Sequence, residues 1–114
     1  MTISEDSILL DANILIYAAD ELSPFHSACR TFRDRGSSGE LSLFVTPQVL
    51  FEFYAVITDP RRVNKALSGQ EAIEQVQSYL VDPMMGKIYQ GAAARRRLLN
   101  SFVNIKSIAR KYSM

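Results

Sequence analysis

Short apolar segments that alternate with helix-start residues limit this chain to a small set of folds. The first segment, Ser7 to Leu10, ends at Asp11, and the second, Leu41 to Val45, runs directly into Thr46-Pro47. A short, branched apolar run that leads into a capped helix is typical of a buried strand. Strands that alternate with helices predict an α/β fold with a short parallel sheet flanked by helices.

The helix after the second strand has clear signals at both ends. Thr46 supplies a hydroxyl cap, and the proline after it suits the first helical position. This helix should continue to about Thr58, where Asp59-Pro60 ends it. Upstream, Asn13 is expected to cap a helix that extends to Ala19.

Two further helices are predicted from capping and periodicity. One runs from Phe25 to Arg35, opened by Ser23-Pro24. The other begins behind Ser68, which forms a capping box with Glu71. Its apolar side chains are expected on one face, and they are Ala72, Ile73, Val76, Tyr79 and Leu80.

The remaining sequence has weaker signals. Residues 86–89 could form a third strand, and residues 91–102 could form a helix that carries a run of arginines. Residues 103–114 could be the end of that helix or a basic tail. The chain has 114 residues, so we expect one domain.

Composition points to a soluble cytoplasmic protein without a membrane segment. Cys29 is the one cysteine in the sequence, so an internal disulfide framework is excluded and a reducing compartment is expected. The amino terminus carries acidic residues where a secretory signal would carry basic ones. No apolar run approaches the roughly 18 residues needed to span a bilayer.

The net charge of +1 conceals an uneven distribution of charged residues. Residues 1–82 contain all 12 acidic residues, whereas residues 83–114 contain seven basic residues and no acidic one. Such asymmetry suggests either a basic surface that meets a polyanion or a basic segment that folds against an acidic body. The arginine cluster at 95–97 likewise could contact phosphates or could be a solvated helix face.

Asp11 and Glu52 are the candidate functional carboxylates. Asp11 follows the first strand, and in open α/β sheets ligands bind beyond the carboxyl ends of strands. It could bind a divalent cation, or it could simply cap the next helix. Glu52 falls at the edge of the apolar face of its helix, where a carboxylate would be poorly hydrated without a partner. That partner could be a metal ion, although Glu52 could instead reach solvent or pair with Arg61 or Arg62.

Two segments together resemble a known family. The segment Leu9 to Ala18, LLDANILIYA, is similar to the opening motif of PIN-domain nucleases, and Val45 to Val56, VTPQVLFEFYAV, resembles the strand-to-helix segment that carries their conserved glutamate. The resemblance extends over residues 7–105. It implies a three-layer PIN-like domain over residues 1–105, followed by a basic tail at 106–114.

The resemblance also implies an activity and a site. It implies a Mg²⁺- or Mn²⁺-dependent endoribonuclease of the VapC type, usually the toxin of a toxin–antitoxin pair, with RNA and an antitoxin as partners. Asp11 and Glu52 would be the metal ligands and catalytic residues, and Asn13 a supporting polar residue of the pocket. Arg95, Arg96 and Arg97 would contact substrate phosphates.

One departure from the family pattern affects these expectations. The family carries further acids after its midpoint, whereas this sequence has none after Asp82. We therefore expect a domain that lacks its C-terminal part and exposes apolar surface, which favours a homodimer or higher oligomer. The alternative to a nuclease is a degenerate PIN domain that binds an antitoxin or itself without cutting RNA.

Overall fold

The computed structural model describes residues 7–89. Three strands and four helices follow one another in the order β1, α1, α2, β2, α3, α4, β3 within this range. The strands are β1 (Ser7–Leu9), β2 (Ser42–Val45) and β3 (Met85–Lys87). The helices are α1 (Ala12–Ala19), α2 (His26–Ser37), α3 (Pro47–Ile57) and α4 (Gly69–Val81). The residues from 90 onward, which include the expected helix at 91–102, the arginine cluster and the basic tail, lie outside the described residues.

The strands form a parallel sheet in the order β1-β2-β3. Leu9 pairs with Phe44, and Phe44 pairs with Gly86, so these three residues form one row across the sheet. The prediction of an α/β fold with a short parallel sheet and flanking helices is confirmed. Because parallel strands all point the same way, the residues that follow β1 and β2 meet at one edge of the sheet.

The predicted caps of α3 and α4 are confirmed. The Thr46 hydroxyl accepts a hydrogen bond from the Val49 amide at 3.2 Å. In the capping box, the Ser68 hydroxyl accepts from the Glu71 amide, while the Glu71 carboxylate accepts from the Ser68 amide. The hydrogen bond from the Ser68 amide, and after it the interaction with the Ser68 hydroxyl, favours the charged carboxylate and holds the pKa of Glu71 below its usual value.

The predicted cap of α1 was wrong. Asp11 caps α1 and Asn13 lies within the helix, because the Asp11 carboxylate accepts from the Asn13 amide. His26, the first residue of α2, is half-buried, and its Nδ1 lies 3.0 Å from the carbonyl oxygen of Tyr17. In α4, Ala72 and Tyr79 are buried and Val76 is half-buried, whereas Ile73 and Leu80 are exposed.

The four helices of residues 7–89 pack on one face of the sheet. The main core draws buried side chains from each helix and joins them to the sheet residues Leu43, Val45 and Met85. Phe53 is fully buried there, with its ring edge-on to Tyr79 at a centroid distance of 6.1 Å. Within the described residues, no helix is long and apolar enough to cross a membrane.

The opposite face of the sheet holds a separate, smaller cluster of buried residues, Leu9, Phe44 and Ile88. Gly86 lies beside Phe44 in the sheet, and a Cβ at this position would come within 2.3 Å of two atoms of the Phe44 ring. The absence of a side chain at Gly86 therefore allows the phenyl ring to lie across β3. None of the buried helix residues among those described belongs to this cluster.

Cys29 provides a test of the packing between α2 and the rest of the core. Its side chain is fully buried, and burial raises the pKa of the thiol to about 12. Because the thiolate is the reactive form, we expect no reaction with a disulfide reagent such as DTNB at neutral pH in the folded protein. Full reaction is expected in denaturant, which serves as the control. Rapid reaction without denaturant would contradict the burial of this side chain.

Candidate metal site at the carboxyl edge of the sheet

Asp11 and Thr46 mark the candidate site, because they follow the neighbouring parallel strands β1 and β2. The Leu10 amide still donates to the Phe44 carbonyl at 2.9 Å, so the pairing of the strands continues almost to Asp11. Each residue then caps a helix that starts at the same edge. Two adjacent helix amino termini create a positive potential, which favours anionic groups such as phosphate.

Asp11 is half-buried and keeps binding capacity beyond its role as a cap. One carboxylate oxygen, Oδ1, accepts from the Asn13 amide at a long distance of 3.4 Å. A carboxylate has two oxygens and about four lone pairs, so capping does not exclude metal binding. Both alternatives raised by the sequence are therefore compatible: Asp11 caps α1 and still presents an oxygen at the edge of the sheet.

Glu52 lies on α3, six positions after the cap. Its side chain is exposed, so the expectation of a poorly hydrated carboxylate was wrong. Neither arginine considered as a partner holds it, because Arg61 pairs with Asp59 at 3.1 Å and no described contact joins Arg62 to Glu52. The flank of α3 beside α4 carries Pro47, Phe51 and Tyr54. At 100° per residue, Glu52 lies roughly 130° around the helix from that flank.

The other residues considered for the site lie elsewhere. Asn13 is exposed in the first turn of α1, close to Asp11. Asp20, a possible substitute ligand, is at the opposite end of α1, where its Oδ1 accepts from the Leu22 amide at 3.2 Å. Asp6 and Arg95, Arg96 and Arg97 lie outside the described residues.

The carboxylate oxygens of Asp11 and Glu52 would suit a hard divalent cation that is held by few protein ligands. Oxygen ligands suit Mg²⁺ and Mn²⁺, and Mg²⁺ is commonly held by one or two carboxylates while water and substrate phosphates complete its shell. Within residues 7–89, no group of three or more histidine, cysteine, aspartate or glutamate side chains converges on a metal position. Asp11 and Glu52 remain the candidate ligands that the sequence predicts.

A groove between α3 and α4 is a feature that the sequence did not predict. Its volume is about 510 Å³, and it opens beside the candidate site. Its rim includes Phe51, which is 75% exposed, together with Ile73, Leu80 and Tyr89. One sequence signal could have revealed it: Phe51 is a large apolar residue on the side of α3 opposite Val49 and Val56.

Comparison with known proteins identifies the family. Ribonuclease VapC24 of Mycobacterium tuberculosis is 32% identical over 105 residues, a match that covers 81% of this chain and 72% of VapC24. This chain belongs to the VapC ribonuclease family. Ribonuclease VapC48 of the same organism is 23% identical over 78 residues, which cover 68% of the chain and 54% of VapC48. No family model matches the sequence.

Membership of the VapC family confirms the resemblance to PIN-domain nucleases. The parallel sheet, the strand-to-helix junctions at Asp11 and Thr46, and the position of α3 are the structural counterparts of the two motifs that carried that resemblance. In both motifs of this VapC-family chain, the strand ends at the carboxyl edge of the sheet.

Proposed function

We propose that this protein is a divalent-metal-dependent endoribonuclease that cleaves single-stranded RNA, acting as the toxin of a toxin–antitoxin pair. The observation that carries the proposal is the position of Asp11 at the end of β1, beside the capped start of α3, in a chain of the VapC ribonuclease family. Glu52 lies on the same helix as that second cap and is free of cationic partners among residues 7–89.

Asp11 and Glu52 would hold the metal through oxygen atoms, and Asn13 would support the pocket from the first turn of α1. When bound, a Mg²⁺ or Mn²⁺ ion lowers the pKa of a coordinated water and stabilises negative charge on phosphate oxygens. The amino termini of α1 and α3 would contribute positive potential toward the scissile phosphate. Arg95, Arg96 and Arg97 would add sequence-independent phosphate contacts.

Removal of divalent metal is expected to abolish RNA cleavage. Purified protein is incubated with a labelled single-stranded RNA in Mg²⁺ or Mn²⁺, with EDTA, and with EDTA followed by excess metal. Cleavage should stop with EDTA and return with metal, because the proposed chemistry needs the cation to activate water. Calorimetric titration with Mn²⁺ gives a second readout, independent of turnover. Cleavage that persists in EDTA would contradict the proposal.

A second candidate function is a PIN domain that binds a partner without cutting RNA. It is favoured by the lack of a third acidic ligand near Asp11 within residues 7–89 and by the apolar groove between α3 and α4. The partner would be an antitoxin or another copy of this chain, as a homodimer or higher oligomer. The two candidates are distinguished by the same assay: the binding module predicts no metal-dependent cleavage, and Mn²⁺ titration would then show no binding.

A further inference from the structure

Phe51 is an exposed aromatic residue directly beside a candidate metal ligand. Its side chain is 75% exposed and belongs to neither described core cluster, whereas Phe53 on the same helix is fully buried. Glu52 follows Phe51 in α3. Consecutive helical residues lie about 100° apart, so the phenyl ring and the Glu52 carboxylate project from adjoining sides of the helix. The ring is therefore placed to contact a molecule that is bound at the carboxylate.

Other aromatic side chains line the same groove between α3 and α4. Tyr89 is 67% exposed, and the half-buried Tyr54 lies three positions after Phe51 on the same flank of α3. The groove has a volume of about 510 Å³, which is in the range of sites that hold small organic groups. Proteins that bind single-stranded RNA commonly stack its bases on exposed aromatic side chains. The described walls of the groove thus have the chemistry of a base-binding site.

The charge of the groove is compatible with a polyanion. The chain has 12 acidic residues, but none of those that the structure describes lines the groove. The charged residue among the described lining residues is Lys87, whose ammonium group donates to the Asp82 carbonyl. Thr46 and Pro47 also line the groove, so it includes the amino-terminal end of α3, where the helix dipole favours an anion. An RNA strand would meet no like charge along these described walls.

The groove is continuous with the edge of the sheet that holds the candidate metal site. Thr46, which lines the groove, follows β2, and Asp11 follows the neighbouring strand β1. Neighbouring strands lie about 4.8 Å apart, and a helix with its side chains is roughly 10–12 Å across. A short stretch of single-stranded RNA can therefore place a phosphate near Asp11 and an adjacent base in the groove.

We propose that Phe51 is a base-stacking residue of the substrate site, and that a base of single-stranded RNA next to the cleaved phosphate enters the groove and stacks on its ring. Tyr89 provides a second aromatic contact. This inference rests on the proposed ribonuclease function, because it assigns a base contact to the same site. Stacking accepts every base, so Phe51 contributes affinity for unpaired RNA and no preference for one base.

A tryptophan reporter measures the stacking without turnover. The sequence contains no tryptophan, so Phe51→Trp introduces a unique fluorophore that keeps an aromatic ring in place. The variant is titrated with a short oligouridylate, first in EDTA and then in Ca²⁺, a hard cation that takes oxygen ligands. We expect saturable quenching of the reporter by the stacked uracil. Leu22→Trp is the matched control, because Leu22 is 62% exposed in the turn between α1 and α2, and its reporter should not respond.

A kinetic comparison tests the contribution of the ring to RNA binding. Phe51→Leu keeps an apolar side chain but removes the aromatic ring, so KM for single-stranded RNA should rise about tenfold with little change in kcat. Phe51→Tyr should retain the original KM. Val81→Ala is the control, because Val81 is a 78% exposed apolar residue of α4 that does not line the groove, and its KM should be unchanged.

The outcomes separate this inference from the proposed activity. Quenching without any cleavage would support the base contact while the nuclease proposal fails. Metal-dependent cleavage with an unchanged KM in Phe51→Leu would overturn the base contact alone. Absence of quenching in both EDTA and Ca²⁺ would overturn it as well. Emission from position 51 that is blue-shifted and protected from acrylamide before RNA is added would also overturn it, because a protein segment would then already fill the groove.

Discussion

Asp11→Asn is expected to reduce metal-dependent RNA cleavage by on the order of a hundredfold or more while the fold remains intact. The carboxylate charge is what a hard divalent cation requires, and an amide supplies only a weak neutral oxygen. Asparagine and aspartate are about equally good helix caps, so the hydrogen bond to the Asn13 amide can persist. The substitution therefore separates the two roles of Asp11 that the sequence left open.

The measurement is initial cleavage rate against Mg²⁺ concentration, with the midpoint of urea unfolding as a check of the fold. Glu52→Gln should weaken the apparent metal affinity in the same assay. Matched controls are Asp59→Asn, which removes a half-buried carboxylate that pairs with Arg61, and Glu74→Gln, which changes an exposed glutamate on α4. Both controls should cleave at the unsubstituted rate. An active Asp11→Asn enzyme would show that the cation is held elsewhere.

Local signals in the sequence predicted the parts of the fold that depend on neighbouring residues. The caps at Thr46 and Ser68 involve side chains and amides three positions apart, so the sequence contains both partners of each hydrogen bond. The strand-to-helix junction at Asp11 was found for the same reason. The predicted cap, Asn13, is only two positions away from the observed cap, Asp11. The difference matters because Asp11 is also the candidate metal ligand.

Predictions that depended on packing between elements were less successful. A helical wheel places Ile73 and Leu80 on the same face of α4 as Ala72 and Tyr79. It does not show which part of that face a neighbouring helix covers. In the structure the apolar face of α4 is divided, with Tyr79 in the core and Leu80 on the rim of the groove. The contact between His26 and the Tyr17 carbonyl likewise depends on the turn between α1 and α2, which no local sequence signal specifies.

Glu52 shows how far the candidate site could be predicted. The sequence placed Glu52 on the helix that Thr46 caps, which the structure confirms. The hydration of its carboxylate depends instead on how the neighbouring elements pack around α3. Phe51 beside it is exposed and leaves the carboxylate open to water, contrary to the wheel argument. A solvent-accessible glutamate remains a suitable ligand for a cation that keeps much of its water shell.

Phe53→Ala is expected to lower the free energy of unfolding by about 3–5 kcal/mol, the usual cost of removing a buried phenyl ring. Phe53 is fully buried on α3, next to Glu52, and packs edge-on against Tyr79 of α4. The substitution leaves a cavity where these helices meet and removes the aromatic pair. Urea unfolding should show a lower midpoint with little change in the slope, because the folded surface is nearly the same.

Phe51→Ala is the matched control for this prediction, since it makes the same chemical change two positions away on the same helix. Phe51 is 75% exposed, so its loss should change the free energy of unfolding by no more than about 0.5 kcal/mol. The comparison cancels the helix propensity of alanine and isolates burial. Equal destabilisation by the two substitutions would mean that α3 is rotated about its axis relative to this structure. Such a rotation would also change the position of Glu52 around the helix, so the stability of these two variants tests the orientation of the helix that carries this candidate ligand.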